Sequence, residues 1–206
     1  MLDVTNRKIW VFREARSGSI AFTNWLSRIV NKPMKSVEKA EDIVDDNSVL
    51  FHTHNFNLLK ELKTEDNPIV FRCSRKDKAE QFLSHLAHDY TKLANVHNET
   101  TQEELDHFNA VTQNNKVTVM IGNVLSFLVH YKNDNELWER YSTNFINQTI
   151  YYEDGVGNIR LPALGIDDIY YGYGDSRWCQ KLPESYKETM FTNGNLAKEL
   201  VRMYFK

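Results

Sequence analysis

Apolar residues along this chain follow two rhythms: short unbroken runs, and stretches that repeat every three or four positions. Ile9-Trp10-Val11-Phe12 is an unbroken run of the kind that makes a buried strand. Arg13 to Gly18 interrupt it with charge, small residues and a glycine. Phe22, Trp25, Leu26, Ile29 and Val30 follow at the i, i+3, i+4, i+7, i+8 spacing of an amphipathic helix. Asn31 to Asn47 is polar and acidic, and Pro33 ends the helical pattern. It reads as a surface connection with a short helical piece around Val37 to Ile43. Val49 to His54 predicts a second strand, Asn57 to Leu62 a short helix, and Pro68 to Arg72 a third strand. Ala79, Phe82, Leu83, Leu86, Ala87, Tyr90 and Leu93 trace one apolar helical face, with Asp77, Gln81, Ser84, His85 and His88 on the other. Asn95 to Lys116 is polar, and Thr101 with Glu104 offers a capping-box start to a short helix. Val117, Met120, Ile121, Val124, Leu125, Leu128 and Tyr131 predict a buried helix, continued by Leu137 to Tyr141. Gln148 to Tyr152 predicts a fourth strand. A helix opened by Pro183 follows, and Leu196, Leu200, Met203 and Tyr204 close the chain with an amphipathic helix. Strands alternating with helices predict an α/β fold with a mostly parallel sheet.

Composition narrows the classes. At 206 residues the chain is expected to be a single domain, 1–206, large enough to bury a real core. A net charge of −3 and a pI near 6.2 imply no broad basic surface for nucleic acid, while leaving room for a local basic pocket. Cys73 and Cys179 have neither metal nor redox spacing and are expected to be reduced thiols. The polar start MLDVTNRK is unlike a secretory signal, and the helix Val117 to Tyr131 is too short and too interrupted to span a bilayer. A soluble, cytoplasmic protein is therefore expected. Asn98-Glu99-Thr100 and Asn147-Gln148-Thr149 match the glycosylation sequon by chance on that reading.

Three stretches carry candidate chemistry. A strand, a tight loop and a helix between Lys8 and Val30 would aim free backbone N–H groups and a positive dipole end at an anion. Arg16, Ser17 and Ser19 would add a guanidinium and two hydroxyls. The competing reading is an ordinary connection capped by Ser17 or Ser19, since serine is a good N-cap. A nucleotide-triphosphatase loop, G-x-x-x-x-G-K-[ST], is absent: the chain has Arg16-Ser17-Gly18-Ser19 instead. His52 and His54 share one side of the second strand, so alternation does not choose between them. After the third strand and on the helix that follows, Arg75-x-Asp77-x-x-x-Gln81-x-x-Ser84 places an arginine and a helix-borne hydroxyl where they could clamp a phosphate. Arg72 competes with Arg75 for that role, and a solvated polar face is the alternative.

Together, in this order, these stretches resemble the sulfotransferases that use 3′-phosphoadenosine 5′-phosphosulfate (PAPS). In that family a basic residue precedes S-G-[ST] in the 5′-phosphosulfate loop, here Arg16, Ser17, Gly18, Ser19 and Ile20. A Thr-His pair at a strand end supplies the catalytic base. Thr53-His54-Asn55-Phe56 followed by Leu58-Leu59 fits it, and the resemblance chooses His54. The Arg75 to Ser84 spacing resembles the 3′-phosphate site of bacterial sugar and glycolipid sulfotransferases. Tyr152-Glu153-Asp154 and Leu164-Gly165 match a strand exit of the family in a structural role. Arg177, beside Trp178, and Lys181 match its C-terminal basic segment. The resemblance implies a P-loop-like three-layer α/β fold and sulfuryl transfer from PAPS to a hydroxyl or amine of a small-molecule or carbohydrate acceptor. His54 would be the base, Arg16 would stabilise charge, adenosine 3′,5′-bisphosphate would be the product, and no metal would be required. The alternatives are a P-loop nucleotide kinase-like enzyme and a non-catalytic nucleotide-binding relative.

Overall fold

The computed structural model describes residues 4–91, 102–114, 116–154, 157–171 and 185–206. Its main sheet has five parallel strands: β1 (Ile9–Arg13), β2 (Met34–Ser36), β3 (Leu50–Thr53), β4 (Ile69–Ser74) and β5 (Ile146–Tyr151). Their order is β2-β3-β1-β4-β5, so the unbroken apolar run of β1 lies in the middle with every side chain buried. A central parallel strand is covered on both faces, which is why its pattern is continuous rather than alternating.

Strand parity assigns the faces. Ile9, Val11, Leu50, Ile69, Phe71 and Cys73 pack with Phe22, Trp25 and Leu26 of helix α1 (Ser19–Val30). Trp10, Phe12, Phe51 and Val70 point the other way, toward Phe56, Leu58 and Leu59 of a short 3-10 segment and Trp138 of a long helix. Trp10 stacks on Phe51 with centroids 4.7 Å apart. The fold is α/β, a parallel central sheet flanked by helices, as the alternation predicts.

Three features depart from the hydrophobic pattern. The connection 31–47 contains β2, an edge strand paired only with β3, because an edge strand needs backbone partners rather than an apolar stripe. After β5 comes an unpredicted antiparallel hairpin, β6 (Gly157–Leu161) and β7 (Ile166–Tyr171). Gly165 turns it with φ 64°, a conformation that glycine adopts without steric cost. Leu161, Leu164 and Ile166 join the core on the α1 side. The predicted buried helix is also corrected. Helix α4 runs unbroken over Ile121–Tyr141, while Val117 bridges to Phe191 instead. Ile121, Leu125 and Val129 are 55–60% exposed, since Val124, Phe127 and Leu128 form its packed side.

The chain divides into two compact units, Met1–Lys76 with Lys132–Ser176 and Asp77–Tyr131 with Arg177–Lys206. The first holds the sheet, α1, the hairpin and the end of α4. The second is helical, with α2 (Lys78–Thr91), α3 (Gln102–Asn114), the start of α4, α5 (Ser185–Met190) and α6 (Gly194–Tyr204). Its core gathers Phe82, Leu83, Leu86, Met190 and Val201. Among the described residues no helix is long and apolar enough to cross a membrane.

Candidate functional site

β1 and β3 end side by side, with Phe12 opposite Thr53. From β1 the chain passes into α1, whose apolar face belongs to one core. From β3 it passes into the 3-10 segment Phe56–Lys60, which belongs to the other. Such a divergence is a topological switch point, where the carboxyl ends of a parallel sheet open a crevice for ligands. The loop Arg13 to Gly18 and the His54 segment both stand there.

The loop is held open. Arg16 and Gly18 have φ 62° and 68°. The left-handed region is free to glycine but costs another residue roughly 1–2 kcal/mol. Gly18 is the N-cap of α1, and no side chain caps the helix. Neither serine plays the capping part that the ordinary-connection reading assigns: Ser17 Oγ donates to the Glu14 carbonyl at 2.7 Å, and Ser19 is the first helical residue. The first turn of this 12-residue helix therefore has no side-chain cap for its N–H groups. Ser17 and Ser19 are both buried, so the loop's backbone and Arg16, which is half-buried, make up its outer surface.

The two histidines, equivalent by alternation, differ in the structure. His54 is exposed, and its Nδ1 lies 2.6 Å from the Arg13 carbonyl oxygen. A carbonyl only accepts, so Nδ1 carries the proton and Nε2 is left as the basic nitrogen. His52, further back and half-buried, has a buried Nδ1 with no hydrogen-bond partner. Burial, then the nearby Arg13 and His54, lowers its pKa from 6.5 to about 4.

The two arginines at the end of β4 also differ. Arg72 lies on the face away from α1, between Phe56 and Trp138 with its guanidinium 5.8 and 5.9 Å from their rings. Its Nε donates to Glu14 Oε1 at 2.8 Å, Nη2 lies 2.6 Å from the same oxygen, and Nη1 donates to Asn135 Oδ1 at 2.9 Å. It is locked into the wall beneath the loop. Arg75 lies past the strand end, 4.5 Å over the Tyr152 ring with its Nε 3.4 Å from Glu153. Glu153 also accepts from the Lys76 N–H at 2.8 Å, so Tyr152-Glu153-Asp154 grips the exit of β4. Ser84 belongs to the second unit, on α2. The polar side of α2 is not simply solvated there: Lys78, Gln81 and Ser84 are all buried, and Lys78 Nζ donates to Gln81 Oε1 at 3.1 Å. Arg177 and Lys181 lie outside the described residues, as does Cys179. Cys73 is a free, buried thiol whose pKa burial pushes up, leaving it a weak nucleophile. Among the described residues no group of three His, Cys, Asp or Glu side chains could hold a metal ion.

One residue at the switch point escaped the sequence reading. Arg13, the last residue of β1, shares the parity of Ile9 and Val11 and is only 8% exposed. Its Nε has no hydrogen-bond partner, and its guanidinium has no ion pair among the described residues. Burial lowers its pKa, against the field of nearby groups that include Glu38. The available signal was a charge at a position where strand parity calls for core.

Comparisons with protein-family models, curated proteins and solved structures return no match.

Proposed function

We propose that this chain is a PAPS-dependent sulfotransferase acting on a hydroxyl or amine of a small-molecule or carbohydrate acceptor. The observation that carries the reading is the pairing, at one switch point, of an uncapped helix start with a histidine whose tautomer is fixed for base catalysis. An anionic group fits the first, because helix N-termini bind phosphate and sulfate through free N–H groups. A proton donor fits the second.

PAPS would supply the sulfuryl group, and the protein's part is positioning and charge stabilisation. The Arg16 guanidinium and the N–H groups of Gly18, Ser19 and Ile20 would hold the phosphosulfate and balance charge that develops on the leaving phosphate oxygen. His54 Nε2 would take the proton of the acceptor as its oxygen or nitrogen bonds to sulfur and the sulfur–oxygen bond to phosphate breaks. Arg75 would meet the 3′-phosphate, with Glu153 and Tyr152 setting the direction of its guanidinium. The missing Gly-Lys-Ser/Thr motif disfavours a nucleotide kinase.

A thermal-shift series with adenosine 3′,5′-bisphosphate, AMP and ATP tests the reading. The bisphosphate should bind at low micromolar concentration or better, and AMP at least tenfold more weakly. One lost charge-assisted contact costs roughly 1.5–3 kcal/mol. Equal shifts from the bisphosphate and AMP, or a larger one from ATP, would sink the assignment.

A further inference from the structure

The loop, the helix start and His54 all belong to the proposed reaction, but the buried charge of Arg13 is not accounted for by them. Removing an ion from water costs several kcal/mol unless partners replace the lost hydration. Buried guanidinium groups are accordingly paired, as Arg72 is with Glu14 and Asn135. Arg13 departs from that rule at 8% exposure, with no ion pair among the described residues. Glu38 stands nearby, but its carboxylate lies 3.4 Å from Thr53 Oγ1 and from the His54 N–H rather than against Arg13. Strand parity directs Arg13 to the α1 side of the sheet, the side on which the uncapped first turn begins. Its neighbours there are Cys73, opposite in register on β4, and His52 on β3, both neutral at neutral pH. A buried positive charge with two neutral groups beside it, and with Glu38 near but not in an ion pair with it, is the electrostatic complement of an anion.

We propose that Arg13 is an anion ligand of this site, receiving the oxygens of a tetrahedral oxyanion at the β1–β3 switch point. Resting on the reading above, that oxyanion is the sulfuryl group of the donor, so Arg13 distinguishes PAPS from the bisphosphate product. Its carbonyl meanwhile fixes the His54 tautomer, so one residue would place both the base and the group to be transferred. The cost of an unpaired buried charge is then one that the bound anion removes.

The experiment compares the full wild-type chain with Arg13→Met and Arg13→Lys. Affinities for PAPS and for adenosine 3′,5′-bisphosphate are measured by calorimetry, and unfolding midpoints are measured in anion-free buffer and with inorganic sulfate. In Arg13→Met the PAPS affinity should fall about ten- to a hundredfold, the range for one charge-assisted contact, while the bisphosphate affinity changes less than threefold. The midpoint in anion-free buffer should not fall, because methionine fills the same space without a charge to desolvate. Arg13→Lys should lie between wild type and Met, and it carries the comparison should Met not fold. An unchanged PAPS-to-bisphosphate ratio in the variants overturns the proposal. If wild type binds neither nucleotide, the donor assignment fails by itself. Sulfate stabilisation of wild type that is lost in Arg13→Met would then still support Arg13 as an oxyanion ligand, and equal stabilisation, or none in either, would overturn that too.

Discussion

A histidine acts as a base only through the ring nitrogen that lacks a proton, and at His54 the Arg13 carbonyl makes that selection. His54→Ala should therefore fold and bind nucleotide as wild type does, yet lose about 10²–10⁴-fold in transfer rate, the usual worth of general base catalysis. An acceptor screen with labelled PAPS supplies the assay, and the wild-type rate should fall on the acid side as the base takes up a proton. His52→Ala should keep its activity. An inactive but folded His52→Ala beside an active His54→Ala would reverse the two roles. The same scale separates the arginines: Arg72, enclosed by two rings and a carboxylate, is a wall, whereas Arg13, also buried, has no such enclosure among the described residues.

Within the elements, local pattern and long-range partners divide the work. α1 follows from its i, i+3, i+4 spacing, but its start depends on Gly18 in the left-handed region with no side-chain cap, which keeps the N–H groups of its first turn available. α2 shows the opposite arrangement. Its Glu80 lies between Lys187 of α5, at 2.8 Å, and Lys198 of α6, at 2.6 Å. Glu80→Gln would remove the carboxylate charge that Lys187 and Lys198 share. Breaking a fully buried pair costs about 3–5 kcal/mol, so for this part-buried cluster a loss of roughly 2–3 kcal/mol is expected. Chemical denaturation followed by helical circular dichroism measures it, and a change below the scatter of replicate curves would mean that the lysines find water instead.

Across the whole molecule, a net charge of −3 leaves room for Arg13 and Arg16 on either side of Glu14 at the exit of β1, because total charge says nothing about its distribution. Two titrating groups also predict how the molecule responds to acid. His52 has its folded pKa lowered to about 4 from 6.5. The unfolded chain binds that proton first, so stability falls as pH drops from about 6.5 to 4 and then levels for this group. At Glu80 burial alone would raise the pKa, but hydrogen bonds from Lys187 and Lys198 overcome it and bring it from 4.5 to about 2. Its stabilisation is complete above 4.5 and is lost as pH falls toward 2. Each group contributes a slope of at most about 1.4 kcal/mol per pH unit. Unfolding midpoints across pH 7 to 3 should flatten in the upper window for His52→Gln and in the lower one for Glu80→Gln. Unaltered profiles in both variants would assign acid sensitivity to other groups.

What could be read along the chain was whatever short-range sterics and burial encode. The unbroken run at β1, the spacing of α1, the α/β class and the Arg16 to Ser19 loop all lie within windows of a dozen residues, where the side-chain period reports the backbone. The edge strand β2 was missed because it depends on a backbone partner rather than an apolar stripe, and the hairpin β6–β7 because its few core residues, such as Leu161 and Ile166, are set among polar ones. α4 was misjudged because its apolar residues spread over more than the one side that packs. The same limit hid the contrast within the site. Arg72 is satisfied by Glu14, 58 positions away, while Arg13 is distinguished by what its surroundings fail to provide. Strand alternation put His52 and His54 on one face, and only the neighbouring strand's carbonyl set the tautomer of one of them. Pairing between distant segments is set when the sheet closes, and it is that closure which turns two ordinary residue types, an arginine and a histidine, into a candidate anion site with a base beside it.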